Sequence, residues 1–289
     1  MSYQQVCKDK YVEVFDREYL AYLKRHKGKN AAEDAEREAQ RRAIEQTLGY
    51  GIEKYRGKHT VQQIWRCIRK AHIERKVGIP YGSSVEFKDE VVEKVISAHQ
   101  SWGKSSGHAF EAYIPDSLNA MLGKHHIVVV LQKELTAMLN SKPTEICNND
   151  DDVKWLDECT KNGTFDLYAI EILNGEKYVF GCIQTKTSIR ERVGTDRWPS
   201  QEAMERGFWS VAVTLDGTFF KGDKFRNMVN GGGNYKQNGW HGAYVCESPI
   251  YEGRLYEFDN FVEDANKAAK VWRSDRKSLT CSWNVADVK

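Results

Sequence analysis

The sequence predicts an α/β fold in which a central mixed β-sheet is flanked by helices and preceded by a helical N-terminal region. Asn174-Gly175 separates two apolar runs, residues 164–173 and 177–187, which is the pattern of a β-hairpin with a tight turn. A short helix at residues 200–206 and an apolar run at 208–215 predict a third strand reached through a helical crossover, which makes the sheet mixed. Residues 3–78 have helical character throughout.

Length and composition bound the class of protein. A chain of 289 residues holds one large domain or two modest ones. Its net charge of +2 means that any surface for a polyanion is local. Seven scattered cysteines without a Cys-x₂-Cys pair argue against a disulfide framework and a zinc ribbon. The chain shows no secretory signal and no apolar run long enough to span a bilayer, so we expect a cytoplasmic protein with no membrane partner.

Three helices are predicted before Gly78. The first covers residues 16–26, the second begins at the cap residue Asn30 and ends at Gly49, and a capping box of Thr60 and Gln63 begins the third. One face of the third helix is basic and is either a solvated surface or a phosphate-contacting one. Its members are Arg66, Arg69, Lys70, Arg75 and Lys76.

A fourth helix is predicted over residues 85–102, with a buried stripe at helical spacing. After Gly103, Ser105 or Ser106 is predicted to begin another helix that carries Glu111 on its next turn. Lys104, Ser105 and Ser106 would then bind a phosphate, because free backbone N–H groups at a helix start favour anions.

The remaining segments carry weaker signals. His125-His126 has no third metal ligand at a convincing spacing, so we interpret the pair as structural or exposed. The acidic segment 148–152 lacks the glycine and distal glutamate of a calcium loop and is interpreted as a solvated turn or a helix start. A strand at residues 243–247 and a helix at 260–272 complete the predicted elements.

Three polar residues meet at one end of the predicted hairpin. Gln184 and Lys186 point to the same face of the second strand, with Thr185 opposite, and Asp166 opens the first strand. A lysine inside an apolar strand costs stability unless it is paired or solvated. This grouping therefore indicates either a functional site or an ordinary ion pair between Asp166 and Lys186.

Phe165-Asp166 and Gln184-Thr185-Lys186 resemble the PD-(D/E)xK nuclease superfamily, and within it the segment is most similar to type II restriction endonucleases. Two departures are present: Phe165 replaces the proline, and Gln184 replaces the second carboxylate. In the family a helix before the hairpin often presents a glutamate to the metal site. Glu111 resembles that residue and would restore the missing charge; its alternative is a surface glutamate.

The chemistry of phosphodiester hydrolysis explains these residue types. It needs a nucleophilic water, a Lewis acid on the phosphoryl oxygens and a cation near the developing charge. Asp166 offers Mg²⁺ a hard oxygen ligand, and Gln184 offers its carbonyl oxygen, directly or through water. Lys186 would orient the attacking water and stabilise its hydroxide form.

Candidate DNA contacts follow the hairpin. Arg190, Arg192 and Arg197 come directly after Lys186, and arginine forks suit phosphates and guanine edges. Residues 216–242 are polar, glycine-rich and aromatic, and we expect either a sequence-reading loop or a merely mobile one. Its candidate contacts are Lys221, Lys224, Arg226, Asn234, Lys236, Gln237 and Asn238.

The resemblance implies a PD-(D/E)xK nuclease core of α-β-β-α-β order over residues 81–289, and we expect the helical region 1–80 to act as a DNA clamp or in dimerisation. It also implies Mg²⁺-dependent, sequence-specific cleavage of double-stranded DNA, a homodimer, and a DNA methyltransferase that protects the host. Two alternatives stay open: a repair or recombination nuclease of the same fold without a fixed site, and a DNA-binding protein whose Gln184 marks an inactive site.

Overall fold

The computed structural model of the chain describes residues 2–80, 82–84, 88–187, 193–248 and 250–288, with the side chains of residues 193–195 left aside. The chain divides into two units, Met1–Tyr113 and Ile114–Lys289. The sequence predicted a boundary at residue 80, whereas this division falls later. None of the described helices combines the length and apolar character needed to cross a membrane.

Helices form the first unit. They are α1 (Tyr3–Arg25), α2 (Ala31–Tyr55), α3 (Val61–Val77) and the first part of α4 (Asp89–Leu122). The capping box of Thr60 and Gln63 is confirmed, whereas Asn30 occupies its cap position without a side-chain hydrogen bond. The prediction that α2 ends at Gly49 is wrong: the helix continues through Gly51, where a Cβ would lie 2.6 Å from Ile64, so glycine permits close packing against α3.

The predicted helix start at Ser105 or Ser106 is wrong, because α4 is continuous from Asp89 to Leu122. Ala98, Trp102, Ser106 and Phe110 are all buried, at four-residue spacing. This buried stripe outweighs the cost of Gly103 in the helix interior, about 1 kcal/mol. Ser105 and Ser106 therefore lie mid-helix, where backbone N–H groups serve the helix itself and are not free for a phosphate.

A six-stranded mixed sheet forms the second unit, in the order β1 to β6. The strands are β1 (Ile127–Leu131), β2 (Leu167–Leu173), β3 (Glu176–Lys186), β4 (Trp209–Thr214), β5 (Gly242–Val245) and β6 (Leu255–Glu257). β1, β2 and β3 pair antiparallel, and β3 to β6 pair parallel. The predicted hairpin and the crossover to a parallel third strand are confirmed, while β6 was missed.

Helices flank this sheet: α5 (Gln132–Asn140), α6 (Asp150–Asn162), α7 (Val193–Glu205), α8 (Asp223–Asn230) and α9 (Phe261–Asp275). The acidic segment is the first turn of α6, capped by Asn149, where carboxylates oppose the positive end of the helix. Leu135, Leu156, Tyr168 and Phe208 belong to one buried cluster that fixes α5 and α6 against the sheet.

The prediction of one long loop over residues 216–242 is wrong for its first half. A 3₁₀ turn (Thr218–Lys221) and α8 occupy it, and they bury Phe220, Met228 and Val229 against Trp240. Phe220, Met228 and Val229 give this short segment an apolar face. The asparagines and glycines around them made the segment resemble a loop in the sequence. Residues 231–240 are irregular and are called here the glycine loop.

Candidate active site

The hairpin turn brings the two polar strand ends together. Asn174 and Gly175 have φ values of 54° and 89°, the double positive φ of a type I′ turn, for which Asn-Gly is favoured. The resulting register sets Leu167 opposite Ile183, and the backbone N–H of Asp166 donates to the carbonyl of Ile183 at 3.1 Å. The start of β2 therefore lies beside the end of β3.

Asp166 is held at this end by the strand that carries the lysine. Its Oδ2 accepts hydrogen bonds from the backbone N–H of Thr185 at 2.6 Å and from the Thr185 hydroxyl at 3.2 Å. Nζ of Lys186 lies 3.9 Å from the same oxygen. The sequence thus predicted correctly that Asp166 and Lys186 lie together.

Asp196 is a second carboxylate at this position, which the sequence reasoning missed. It lies in the first turn of α7, and its Oδ2 is 3.3 Å from Nζ of Lys186. Gln184 leaves the motif one carboxylate short, but the spacing of Asp196 from Lys186 does not indicate that the two side chains meet.

Gln184 has a different environment from the predicted one. It is 2% exposed, and its Oε1 accepts a hydrogen bond from Nε1 of Trp240 at 2.8 Å. Its Nε2 donates to the carbonyl of Thr164 at 3.4 Å. The carboxamide therefore joins β3 to the end of the glycine loop, and its predicted contact with a metal ion stays a prediction.

The site is half-open and carries two negative charges and one positive charge. The side chains of Lys186, Asp166 and Asp196 are 33%, 25% and 25% exposed. A cavity of about 20 Å³ lies behind them, bounded by Gln184 and Trp240 and by apolar side chains of α8. Within the described part of the chain, no group of three His, Cys, Asp or Glu side chains forms a metal cage. The site offers a cation two acidic side chains and one open side.

The predicted residues of the first unit lie on α4. Glu111 is half-buried, and its Oε2 lies 3.1 Å from Nδ1 of His108. Its role as a metal ligand stays a prediction. Lys104 is exposed, Ser105 donates to Gln40 at 3.3 Å, and Ser106 is buried.

The predicted DNA contacts of the second unit divide into exposed and internally bonded side chains. Arg190 and Arg192 lie outside the described residues. Exposed are Lys221, Lys224, Asn234, Lys236 and Gln237.

The other three side chains are engaged within the protein. Arg226 pairs with Asp223 and with Glu252, the latter at 2.8 Å. Asn238 is 7% exposed and donates to the carbonyl of Trp240 at 2.7 Å. Arg197 donates to the carbonyl of Gln237.

Comparisons with known proteins agree with this geometry. The family model described as "BsaWI restriction endonuclease type 2" matches residues 145–278, which include the hairpin and α7. The structure of the pre-specific BsaWI–DNA complex is similar over 99% of this chain and 100% of that chain, with 38% identity and a TM-score of 0.66. No curated protein matches the sequence.

A second solved structure supports the fold. The specific AgeI–DNA complex is similar over 90% of this chain and 91% of that one, with 18% identity and a TM-score of 0.58. The predicted restriction-endonuclease-like core is therefore confirmed, and the nearly full-length BsaWI match favours restriction over the repair nuclease and the inactive binding protein. The chain belongs to the BsaWI family of type II restriction endonucleases, which are site-specific deoxyribonucleases.

Proposed function

We propose that this enzyme hydrolyses double-stranded DNA at a short specific sequence in a Mg²⁺-dependent reaction, with Asp166, Asp196 and Lys186 at the reacting centre. One observation carries the proposal: two carboxylates from different elements meet one lysine, at 3.9 Å and 3.3 Å from its Nζ. These groups lie where the strand ends that carry the motif-like residues Phe165-Asp166 and Gln184-Thr185-Lys186 meet.

The donor set fits Mg²⁺ better than a softer metal. Mg²⁺ is commonly bound by one or two carboxylates together with waters and substrate phosphates, and not by a cage of protein ligands. Asp166 and Asp196 would hold it, and the open side of the site leaves room for a phosphate. When bound, the ion would supply a Lewis acid to the phosphoryl oxygens and neutralise part of their charge.

Lys186 has a separate role in this proposal. Its ammonium group, set between the two acids, would orient the attacking water and stabilise the negative charge that develops at the phosphate. Thr185 fixes Asp166 through two hydrogen bonds, so one carboxylate keeps its place while the lysine contacts the substrate. Gln184 supports the strand from behind, through Trp240.

The DNA surface is proposed from the exposed polar side chains near this end of the sheet. BsaWI and AgeI were each solved as DNA complexes, which supports duplex DNA as the ligand of this chain. We assign phosphate and base contacts to the exposed set of Lys221, Lys224, Asn234, Lys236 and Gln237, and to Arg190 and Arg192 from the sequence. Lys104 remains a proposed phosphate contact on α4.

The biological setting is also a proposal. A palindromic site would be cut by a homodimer, and a partner methyltransferase would protect host DNA in the cytoplasm. The helical region 1–80 is proposed to clamp DNA or to join subunits; on the basic face of α3, Arg75 pairs with Asp16 and Lys76 with Glu36 within the helical unit.

A single digestion tests the central proposal. DNA of known sequence is incubated with the enzyme and Mg²⁺, with excess chelator in a parallel reaction, and all ends are mapped. Discrete fragments with one common sequence at their ends, present only with Mg²⁺, support the proposal. Cleavage that persists in chelator contradicts the metal dependence, and randomly placed ends contradict the site specificity.

A further inference from the structure

Arg197 follows Asp196 directly on α7, yet its side chain contacts another segment. Nη2 donates to the carbonyl of Gln237, and Nη1 lies 3.3 Å from Oε1 of Gln201. The guanidinium carbon is 5.0 Å from the centre of the Tyr235 ring, a cation–π distance. Burial lowers the pKa of this guanidinium from its usual value. Arg197 thus ties the first turn of α7 to the glycine loop.

The glycine loop is built so that its tip is exposed and its base is bonded. Gly231, Gly232 and Gly233 have φ values of 81°, 108° and 56°, a backbone region that residues other than glycine rarely adopt. Gly232 and Tyr235 exchange backbone hydrogen bonds of 2.7 Å and 2.9 Å, which closes a tight turn. Asn234 and Lys236 are left exposed at this tip.

The base of the loop is hydrogen-bonded to α7 and to β3, the elements that carry Asp196 and Lys186. Gln201 of α7 donates to the carbonyl of Asn238 at 3.2 Å, and the Asn238 carboxamide donates to the carbonyl of Trp240. Trp240 then donates to Gln184, two residues before Lys186 on β3. The glycine loop is therefore hydrogen-bonded to β3, which carries Lys186, and to α7, which carries Asp196. The ion pair of Asp196 and Lys186 joins these two elements directly.

We infer that Arg197 is a positioning residue, which transmits contacts made by the glycine loop with the bases of the DNA to the pair of Asp196 and Lys186. The inference rests on the proposed function, in which this pair takes part in cleavage. A base pair that engages Asn234 or Lys236 fixes the position of the Gln237 carbonyl. Arg197 passes that position to the first turn of α7, which sets the distance from Asp196 to Lys186. Recognition at the loop then raises the rate of cleavage as well as the affinity.

The contacts of Arg197 argue against a direct phosphate contact by this side chain. Its Nη atoms are directed at Gln237 and Gln201, both within the protein. The backbone of Gly239 packs against its stem, since a Cβ at Gly239 would lie 3.0 Å from Cγ and 3.3 Å from Cδ of Arg197. A phosphate ligand would be expected to keep its fork toward solvent.

The test compares Arg197→Gln and Arg197→Lys with the wild type on the mapped recognition site and on sites with one substituted base pair. Single-turnover cleavage is measured at saturating enzyme, and binding is measured over a range of salt concentrations. For Arg197→Gln we expect cleavage of the cognate site to slow about 10- to 100-fold, the loss of a charged hydrogen bond. We also expect a smaller ratio of cognate to substituted-site rates, and an unchanged slope of log Kd against log salt. Arg197→Lys should recover part of the rate.

Arg206→Gln is the matched control, because Arg206 directly follows α7, is exposed and pairs with Glu202 at 3.4 Å. It should leave the rate and the ratio unchanged. A salt slope reduced by about 0.9 in Arg197→Gln, with a normal rate at saturation, would identify a phosphate ligand and overturn the inference. A lower unfolding temperature with an unchanged rate and ratio would overturn it as well, by showing a structural role only. Asp196→Asn at full activity would instead reject the proposed function.

Discussion

Nζ of Lys186 lies 3.3 Å from Oδ2 of Asp196, closer than its 3.9 Å distance from Asp166. The nearer acid comes from α7 and the farther one from the start of β2, so two elements separated by the whole of β3 supply the charges of one site. Asp196 thus adds a second carboxylate beside Lys186, where the motif-like strand carries the uncharged Gln184.

Replacing either acid should stop cleavage while DNA binding continues. Asp166→Asn and Asp196→Asn each remove one charge proposed to hold Mg²⁺, and we expect cleavage rates to fall at least about 100- to 1000-fold, as when one preorganised group at a reacting centre is lost. Gel-shift affinity without metal should change little. Undiminished cleavage by Asp196→Asn would reject the proposed function, in which both acids hold the metal.

Lys186→Ala should give a comparable loss of cleavage for a different reason. Removing the ammonium leaves the two carboxylates without their neighbouring cation, so we also expect Mg²⁺ to bind more tightly, and cleavage to reach its reduced maximum at a lower Mg²⁺ concentration than in the wild type. The measurement is the cleavage rate as a function of Mg²⁺ concentration. Full activity in Lys186→Ala at ordinary Mg²⁺ would reject a role for the lysine.

Gln184→Glu should destabilise the protein in a pH-dependent way. The position is 2% exposed, so burial would raise the pKa of the introduced carboxyl above its unfolded value. Stability is then fully present at low pH, where the carboxyl is neutral in both states, and is lost as the pH rises through the raised pKa. The measurement is urea unfolding of the variant and the wild type at pH 5 and pH 8.

Gln184→Met is the control for that substitution. It removes the acceptor for Nε1 of Trp240 and introduces no charge, so we expect a loss of about 1 to 3 kcal/mol that is the same at both pH values. If Gln184→Glu showed the same loss at pH 5 and pH 8, the introduced carboxyl would not be buried, and the environment assigned to Gln184 would be wrong.

The hairpin was predictable because its determinants are local. Asn174-Gly175 selects the turn, and the turn fixes the register that sets Asp166 near Lys186. The capping box of Thr60 was readable for the same reason, since both partners lie within one turn of a helix.

Tertiary contacts decided what the sequence did not reveal. Asp196 reaches Lys186 only because α7 packs against β3 after a crossover, and nothing in the spacing of the two residues indicates that distance. Trp240 donates to Gln184 across 56 residues of chain, which no local pattern encodes. The helix break expected near Gly103 did not occur, because burial of Trp102 and Ser106 overrides a weak local preference.

Acid should destabilise the second unit through His241. Its Nδ1 accepts from the backbone N–H of Ser210 at 3.1 Å, and its Nε2 lies 2.9 Å from the carbonyl of Thr280, so the neutral ring fills both roles. Burial lowers the pKa of His241 to about 3. Stability from this group is full above the unfolded pKa of about 6.5 and falls as the pH drops toward 3, by up to about 1.4 kcal/mol per pH unit.

Urea unfolding between pH 7 and pH 4 measures this effect, with His241→Asn for comparison. The variant should be less stable at pH 7, and the difference from the wild type should shrink as the pH falls, because only in the wild type does residue 241 gain a proton on unfolding. His72 of the first unit, whose pKa burial lowers to about 4, titrates in both proteins and cancels in the comparison. A constant difference across this range would exclude a neutral, buried His241.

Gly239→Ala should slow cleavage by displacing the base of the glycine loop. A Cβ there would lie 2.5 Å from the carbonyl oxygen of Met228 and 3.0 Å from Cγ of Arg197. Because 2.5 Å is too short for a contact between these atoms, the backbone at Met228 or at residue 239 would have to move. We expect a loss of about 1 to 3 kcal/mol in stability from overpacking, together with a lower single-turnover rate on the recognition site. Gly123→Ala is the control, because a Cβ at Gly123 meets nothing within 4 Å. If Gly239→Ala lost stability but kept the wild-type rate, the position of the loop base would not affect the pair of Asp196 and Lys186. The contacts of Arg197 with the glycine loop would then have no part in cleavage.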